Sequence, residues 1–151
     1  MTPRDASALA EEHFRACLRA QGLRCTPDRL NLFRVLMRAG RPLSRLTLVE
    51  ALRAHGIHAT TVYRAVEQFS ALGWIRPVLL GNGIAGYELQ PPFVRHHHHF
   101  ICTRCGTIAD LPAGGVDAVL EAMAGEMPGV PEEHRVDVYG TCHRCLDPPA
   151  P

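Results

Sequence analysis

Apolar residues recur every three or four positions through the first half of the chain, in segments separated by short polar turns. In one segment Thr26 precedes Pro27, an N-cap followed by a first helical residue, and Gly40 follows the last apolar position. Leu30, Phe33, Leu36 and Met37 of this segment share one helix face. The pattern predicts helices within residues 7–22, 26–40, 44–56 and 60–73.

The pattern changes after Gly73. WIRPVLL (74–80) and IAGYELQ (84–90) are short apolar segments joined by GNG, which predicts a β-hairpin. Helices followed by a hairpin are the layout of a winged helix-turn-helix. PPFV (91–94) indicates a stiff, extended linker.

The second half predicts strands in HHFICTRC, TIADL and HRVDVYGTC, with a helix near 114–126. We therefore expect an α+β protein in three parts. A winged-helix domain occupies residues 1–90, a linker or hinge 91–95, and a second, α/β domain 96–151.

The charges divide in the same way. All 16 basic residues are arginine; residues 1–82 carry a net charge of +6 and residues 83–151 a net charge of −5. A basic part followed by an acidic one suggests modules with different partners, although scattered surface charge is the alternative. The chain lacks an apolar run long enough to cross a membrane, and its start lacks an apolar signal core, so a cytoplasmic protein is expected.

Two Cys-x-x-Cys pairs lie in the second half, Cys102 with Cys105 and Cys142 with Cys145. Two such pairs can form the closed, tetrahedral sulfur site that structural zinc prefers. A redox dithiol is the alternative, for which the second pair would be superfluous. Cys17 and Cys25 lack such spacing; Cys17 is expected in the core and Cys25 is unassigned.

Four histidines, His96–His99, run directly into the first cysteine pair. Successive side chains of a strand point to opposite faces, so His96 and His98 would share one face and His97 and His99 the other. One strand can thus contribute to two metal sites. A solvated patch is the alternative; a tag is excluded, because the run is internal and continues into FIC.

The chain resembles the ferric uptake regulator family of bacterial metal-sensing repressors. The resemblance covers residues 20–145, and five segments carry it in the family's order and spacing: GLRCTPDR (22–29), TTVYRAVEQFSALGWI (60–75), GYEL (86–89), HHHHFICTRCG (96–106) and YGTCHRC (139–145). The resemblance implies a winged helix that binds an operator in double-stranded DNA, and a C-terminal domain that forms a homodimer. It also implies a recognition helix containing Thr61, Tyr63 and Arg64, and a minor-groove contact by Arg24.

The resemblance also assigns the metals. The four cysteines match a structural zinc site. Glu88, His97, His99 and Asp110 match a regulatory site that would link the two domains. A further site on the other face of the strand matches the set His96, His98, Asp117 and His134, with Asp117 where a glutamate is usual.

Two positions depart from the family. Pro42 stands where many members have a further histidine ligand, and Gln90 where zinc-sensing members carry a cysteine. The regulatory set is therefore histidine and carboxylate, which favours iron(II) or manganese(II) over zinc by ligand hardness. We expect a metal-dependent repressor without enzymatic activity. The alternatives are a zinc-uptake or peroxide-sensing regulator, a non-haem metalloenzyme, and a zinc-storage or chaperone protein that binds metal without DNA.

Overall fold

The computed structural model describes residues 3–111, 113–130 and 132–146. The chain folds into two compact units. The first contains the residues up to Leu79 together with Ile84–Arg95, and the second contains Leu80–Gly83 and the residues from His96 onward. Within the described ranges, no helix has the length and hydropathy that crossing a membrane requires.

The first unit is mainly helical, with a small sheet of order β1-β3-β2. Its elements follow the chain in this order: α1 (Pro3–Ala20), α2 (Pro27–Ala39), β1 (Leu43–Ser44), α3 (Arg45–Arg53), α4 (Ala59–Ala71), β2 (Ile75–Leu79) and β3 (Ala85–Leu89). Local chemistry sets the ends of α2: the Thr26 side chain accepts from the backbone N–H of Arg29, and Gly40 ends the helix at φ 55°.

The core of the first unit is aromatic. Phe14 stacks on Phe33 at 4.2 Å between ring centroids, and Phe69 and Trp74 both pack edge-on against Phe14. Phe93, within the segment that the sequence suggests as a linker, is buried 5.3 Å from the Phe33 ring. Residues 91–95 therefore group with the first unit.

The second unit contains a three-stranded sheet of order β5-β4-β6. Its elements are β4 (His98–Cys102), β5 (Ile108–Leu111), α5 (Ala113–Met123), a 3-10 turn (Ala124–Glu126), β6 (Asp137–Gly140) and α6 (His143–Leu146). The central strand β4 pairs antiparallel with β5 and parallel with β6. The last two histidines of the run and the first cysteine, Cys102, thus lie on the central strand.

Candidate metal centres and nucleic-acid interface

Two tight turns present the four cysteines. Cys102 ends β4, and its carbonyl accepts from the backbone N–H of Gly106 at 3.0 Å, a turn that needs the positive φ of that glycine (71°). Cys142 precedes α6, where the backbone N–H of Cys145 donates to the Cys142 carbonyl at 2.9 Å. Each turn brings two sulfur atoms to the same side of the chain.

The sulfur atoms converge as zinc coordination requires. Sγ of Cys105 lies 3.6 Å from Sγ of Cys142, and Sγ of Cys102 lies 4.0 Å from Sγ of Cys145. All four lie within 4.8 Å of one another. A tetrahedron with Zn–S bonds of about 2.3 Å has S–S edges of about 3.8 Å. The donor set and its spacing therefore fit zinc.

Hydrogen bonds shift the pKa values of Cys102 and Cys145 in opposite directions. Backbone N–H groups, first that of Cys142 and then that of Cys105, lower the pKa of Cys102 to about 6. Hydrogen bonds to Cys105 and Cys142 raise the pKa of Cys145 to about 12. The lowered pKa of Cys102 favours its thiolate form, which is the form in which cysteine binds metal.

The histidine run alternates between two faces, as a strand requires. The rings of His96 and His98 lie 4.6 Å apart, and those of His97 and His99 lie 4.7 Å apart, both pairs edge to face. His98 and His99 are fully buried. The strand of the structure begins only at His98, but the alternation extends back to His96.

On one face, three imidazoles converge on a single carboxylate. Nε2 of His98 and Nε2 of His134 each lie 2.9 Å from Oδ1 of Asp117, and Nε2 of His96 lies 2.9 Å from Nε2 of His134. Asp117, which is shorter than the glutamate that is usual at this position, therefore still reaches the same point as the imidazoles. Three neutral imidazoles and a carboxylate are a set that zinc and other first-row divalent metals accept.

The electrostatics of this cluster favour a cation. Hydrogen bonds, first from His98 and then from His134, lower the pKa of Asp117. Burial, followed by the nearby His134, lowers the pKa of His96. A charged carboxylate and a neutral imidazole are the forms in which both residues bind metal.

The other face holds His97, His99 and Asp110. His99 and Asp110 are direct cross-strand partners in β4 and β5, with Nδ1 of His99 3.5 Å from Oδ1 of Asp110. Asp110 is exposed, whereas His99 is buried. This face therefore offers two imidazoles and a solvent-accessible carboxylate.

Glu88 lies in the first unit, on β3, and is buried. Its cross-strand partner in β2 is Arg76, whose Nε lies 2.8 Å from Oε1 of Glu88. Both side chains are only 5–6% exposed. The predicted ligand is thus an ion-pair partner within its own unit, a role that the sequence analysis missed.

The four predicted DNA-binding residues all lie in the first unit. Helix α4 buries Val62, Ala65, Val66 and Phe69 and leaves Tyr63 and Arg64 exposed on its other face. Thr61, half-buried, begins that exposed side. Arg24 is exposed in the turn between α1 and α2.

Two arginines that the sequence analysis did not single out contact these residues. The guanidinium of Arg45 lies 5.9 Å from the Tyr63 ring centroid and 5.3 Å from that of Tyr87, both cation–π distances. Arg29 reaches both Arg24 and α4. The contacts of Arg29 and Arg45 depend on tertiary packing. The only related signal in the sequence is the excess of arginine in residues 1–82, which does not single out these two.

The remaining cysteines, Cys17 and Cys25, lie in the first unit. Cys17 is half-buried and packs against the core of the first unit, as expected. Cys25 is exposed, and its sulfur accepts from Nη1 of Arg15 at 3.3 Å.

Known proteins share this arrangement. Residues 20–139 match the model of the "Ferric uptake regulator family". The "Ferric uptake regulation protein" of Synechococcus elongatus is 32% identical over 141 residues, 87% of this chain and 91% of that protein. The "Peroxide-responsive repressor PerR" of Staphylococcus epidermidis is 26% identical over 134 residues, 87% of each chain. The crystal structure of the Vibrio cholerae ferric uptake regulator, described as showing a rearrangement of its DNA-binding domains, has a TM-score of 0.70 at 26% identity. The matched region covers 85% of this chain and 98% of the Vibrio cholerae chain.

Proposed function

The chain belongs to the ferric uptake regulator family of metal-responsive transcriptional repressors, and we propose that it senses iron(II) or manganese(II) through His97, His99 and Asp110. Family membership makes it a DNA-binding regulator and not an enzyme. The family resemblance adds Glu88 as a further ligand of the sensed metal. Residues 1–90 would bind DNA, 91–95 act as the hinge, and 96–151 bind metal and dimerise.

Two kinds of metal serve different purposes in this proposal. Cys102, Cys105, Cys142 and Cys145 hold a structural zinc ion; this set is closed, because its four sulfur atoms satisfy a tetrahedral metal. The regulatory metal is held by histidine and carboxylate. When bound, that metal supplies a positive charge that fixes its ligands in one arrangement.

Ligand chemistry supports the choice of sensed metal. His97 and His99 contribute imidazole nitrogen, and Asp110 an exposed carboxylate. Oxygen ligands move a site toward the harder ions iron(II) and manganese(II). The opposite face, with His96, His98, His134 and the single carboxylate of Asp117, is the set better suited to zinc.

The partners are operator DNA and a second copy of the chain. Tyr63 and Arg64 project from α4 and can reach base edges, and the net charge of +6 over residues 1–82 attracts phosphate. In the second unit, Val119, Val130 and Val138 are exposed, and β6 is at the edge of its sheet. Exposed apolar side chains and an open strand edge suit a homodimer contact. A DNA-binding regulator of this kind works in the cytoplasm.

The observation that carries the proposal is the convergence of metal ligands on both faces of β4 in a chain that also presents Tyr63 and Arg64. The test uses an operator duplex that the metal-loaded protein selects from a random-sequence library. Chelator-treated protein that retains its structural zinc is titrated with iron(II), manganese(II) or zinc at buffered free concentrations, and fluorescence anisotropy reports DNA binding.

We compare the free metal concentration that restores binding with the free concentration of that metal in the cell. We expect this ratio to be lower for iron(II) or manganese(II) than for zinc. Binding restored by zinc alone would contradict the sensed metal but keep the repressor. If all metals left the affinity unchanged, the metal-dependent function would be wrong. Loss of binding after peroxide treatment of the iron-loaded protein, with mass added to His97 or His99, would instead favour the peroxide-sensing alternative.

A further inference from the structure

Arg29 joins two separate elements of the first unit through its guanidinium. Nε donates to Oε1 of Gln68 on α4 at 3.0 Å, and Nη1 donates to the backbone carbonyl of Arg24 at 2.6 Å. The side chain is half-buried. Because the guanidinium is planar and rigid, its two hydrogen bonds fix the direction of the carbonyl relative to the helix.

The backbone around Arg24 is held from several sides. Its carbonyl also accepts from the backbone N–H of Thr26 at 3.1 Å. Nη1 of Arg15, on α1, donates to Sγ of the next residue, Cys25, at 3.3 Å. The side chain of Arg24 itself is exposed. These contacts therefore fix where the arginine leaves the backbone while its charged end faces solvent.

The two hydrogen bonds of Arg29 form a bridge between the Arg24 carbonyl and Gln68. The Gln68 end of this bridge lies on α4, the proposed recognition helix. Gln68 is one turn beyond Arg64 on α4, and residues four apart on a helix share one face. Thr61, Arg64, Ala65 and Gln68 line one wall of an open groove of about 370 Å³, and Thr26, Asp28 and Arg29 line the other. Arg29 thus spans the groove between α4 and the turn that carries Arg24.

We propose that Arg29 is a positioning residue that holds Arg24 at a fixed place relative to α4, so that contacts in the minor and major grooves form together. This inference rests on the proposed DNA-binding function. Two contacts in different grooves add to affinity only if the protein holds both at the spacing that the duplex sets. Without the bonds of Arg29, the contacts of Thr26 and Arg15 still hold the turn, but its position relative to α4 has to be fixed during binding, which weakens the complex.

The competing role for Arg29 is a direct contact with a DNA phosphate. A phosphate contact acts through charge and disappears with it, whereas the bridge depends on the fork geometry of the guanidinium. Arg29→Lys separates the two roles, because lysine keeps the charge but cannot repeat both bonds. Arg29→Met removes the charge as well.

The experiment measures affinity of the metal-loaded full-length protein for the selected operator duplex across a salt series. We expect Arg29→Lys and Arg29→Met to weaken binding alike, by roughly tenfold, the size of one lost base contact. We also expect both variants to keep the wild-type salt slope. In an Arg24→Ala background the same changes should alter affinity less than about twofold, because the contact that they position is already gone.

Arg34→Met is the matched control. Arg34 lies on the same helix, but Nε and Nη2 bond Glu11 of α1 at 2.8 and 2.9 Å, and it is absent from the groove of Arg29. Its loss should leave the operator affinity within about twofold. Melting curves of every variant check that the fold is retained, and Gln68→Ala, which removes the far end of the bridge, should reproduce the Arg29→Lys defect.

Distinct outcomes overturn the inference. Arg29→Lys with wild-type affinity, while Arg29→Met loses affinity and one unit of salt slope, would make Arg29 a phosphate contact. A defect that adds fully to that of Arg24→Ala would remove the positioning role. If Arg24→Ala and Arg64→Ala both bind the operator as the wild type does, the proposed DNA interface itself fails. If Arg24→Ala and Arg64→Ala lose operator affinity as expected, but Gln68→Ala and Arg29→Lys keep the wild-type affinity, the DNA interface stands and only the positioning role of Arg29 is refuted.

Discussion

Arg76 and Glu88 are the charged side chains buried in the described part of the first unit. Taking both charges from water is expensive, and their 2.8 Å contact offsets that loss only while both partners are present. The glutamate is also the predicted metal ligand. If Glu88 is a metal ligand as predicted, the neighbouring arginine cation would compete with the metal cation for the same carboxylate.

Replacing Arg76 with methionine should destabilise the metal-free first unit, because Glu88 would be left buried without its arginine. We expect a loss of about 3–5 kcal/mol in the free energy of unfolding, measured by denaturant titration of protein that retains its structural zinc. The double variant Arg76→Met/Glu88→Gln should recover part of that loss.

The matched control for this pair lies on the surface. Arg135 and Glu133 are 2.9 Å apart but more than half exposed, so Arg135→Met should change stability by less than about 1 kcal/mol. Equal effects of Arg76→Met and Arg135→Met would show that burial adds nothing to the Arg76–Glu88 pair.

A second prediction concerns one cysteine. Cys142→Ser replaces a sulfur ligand with an oxygen that binds zinc less well, and Cys142 also anchors the turn that presents Cys145. We expect loss of zinc and a lower melting temperature, measured by elemental analysis and calorimetry. Cys25→Ser, outside the cluster and exposed, is the control and should keep its zinc. Full zinc content in Cys142→Ser would remove this cysteine from the site.

Which residues could be predicted depended on how local their evidence is. The spacing of the paired cysteines and of the histidine run indicates metal binding, and both sets form clusters in the structure. Arg29, Arg45 and Arg76 act through partners up to 39, 42 and 12 positions away, and 16 basic residues of one type gave no reason to choose them. The hairpin register alone could have paired Arg76 with Glu88.

At the scale of elements, the four helices and the hairpin followed from local signals. Thr26, Pro27 and Gly40 bound α2 as predicted, and Ser44 caps α3 by accepting from the backbone N–H of Thr47. The two-residue strand β1 was missed, because only its pairing with β3 makes it a strand. Phe93 shows the same effect: its proline-rich surroundings indicate an extended segment, but an aromatic core accommodates its ring.

Strand β4 gives the third prediction, since its two faces have different proposed roles. Changing His97 and His99 to alanine should leave the structural zinc, the fold and the dimer intact but abolish metal-stimulated operator binding. The expected loss is about 5–150-fold in affinity at saturating metal, the usual range of coupling between two sites. Fluorescence anisotropy with the selected duplex measures it.

Changing His96 and His134 to alanine is the comparison for that variant. Both side chains are partly exposed, so their loss removes two ligands from the other face without opening a core cavity. We expect a smaller change in the metal response. If the His96/His134 variant loses the response and the His97/His99 variant keeps it, the roles of the two faces are reversed.

At the scale of the molecule, the two units are stabilised by different means. The first has an aromatic and aliphatic core, whereas the buried hydrophobic side chains in the described part of the second are Ile101 and Cys102. A unit with so little buried apolar surface needs other support, which zinc and a partner subunit can supply. We expect dimerisation to cover its exposed apolar residues.

Dimerisation through that surface is the fourth prediction. Val119 on α5 is 60% exposed, and Leu9 on α1 is 57% exposed, so glutamate at either position adds the same charge to a similarly accessible apolar site. Val119→Glu should raise the dimer dissociation constant by at least tenfold, because burying a carboxylate in an apolar contact is unfavourable. Leu9→Glu should leave it unchanged, as measured by analytical ultracentrifugation.

Operator binding should follow the dimer. A dimer places two copies of α4 on half-sites about one helical turn apart, so both contacts are made in one event. Val119→Glu should therefore weaken binding at low protein concentration and approach wild-type affinity as the concentration rises, with the metal response retained. A wild-type dissociation constant for the Val119→Glu dimer would place the interface elsewhere. Weak binding that persists at concentrations where the variant is dimeric would mean that α5 affects DNA by a route other than assembly.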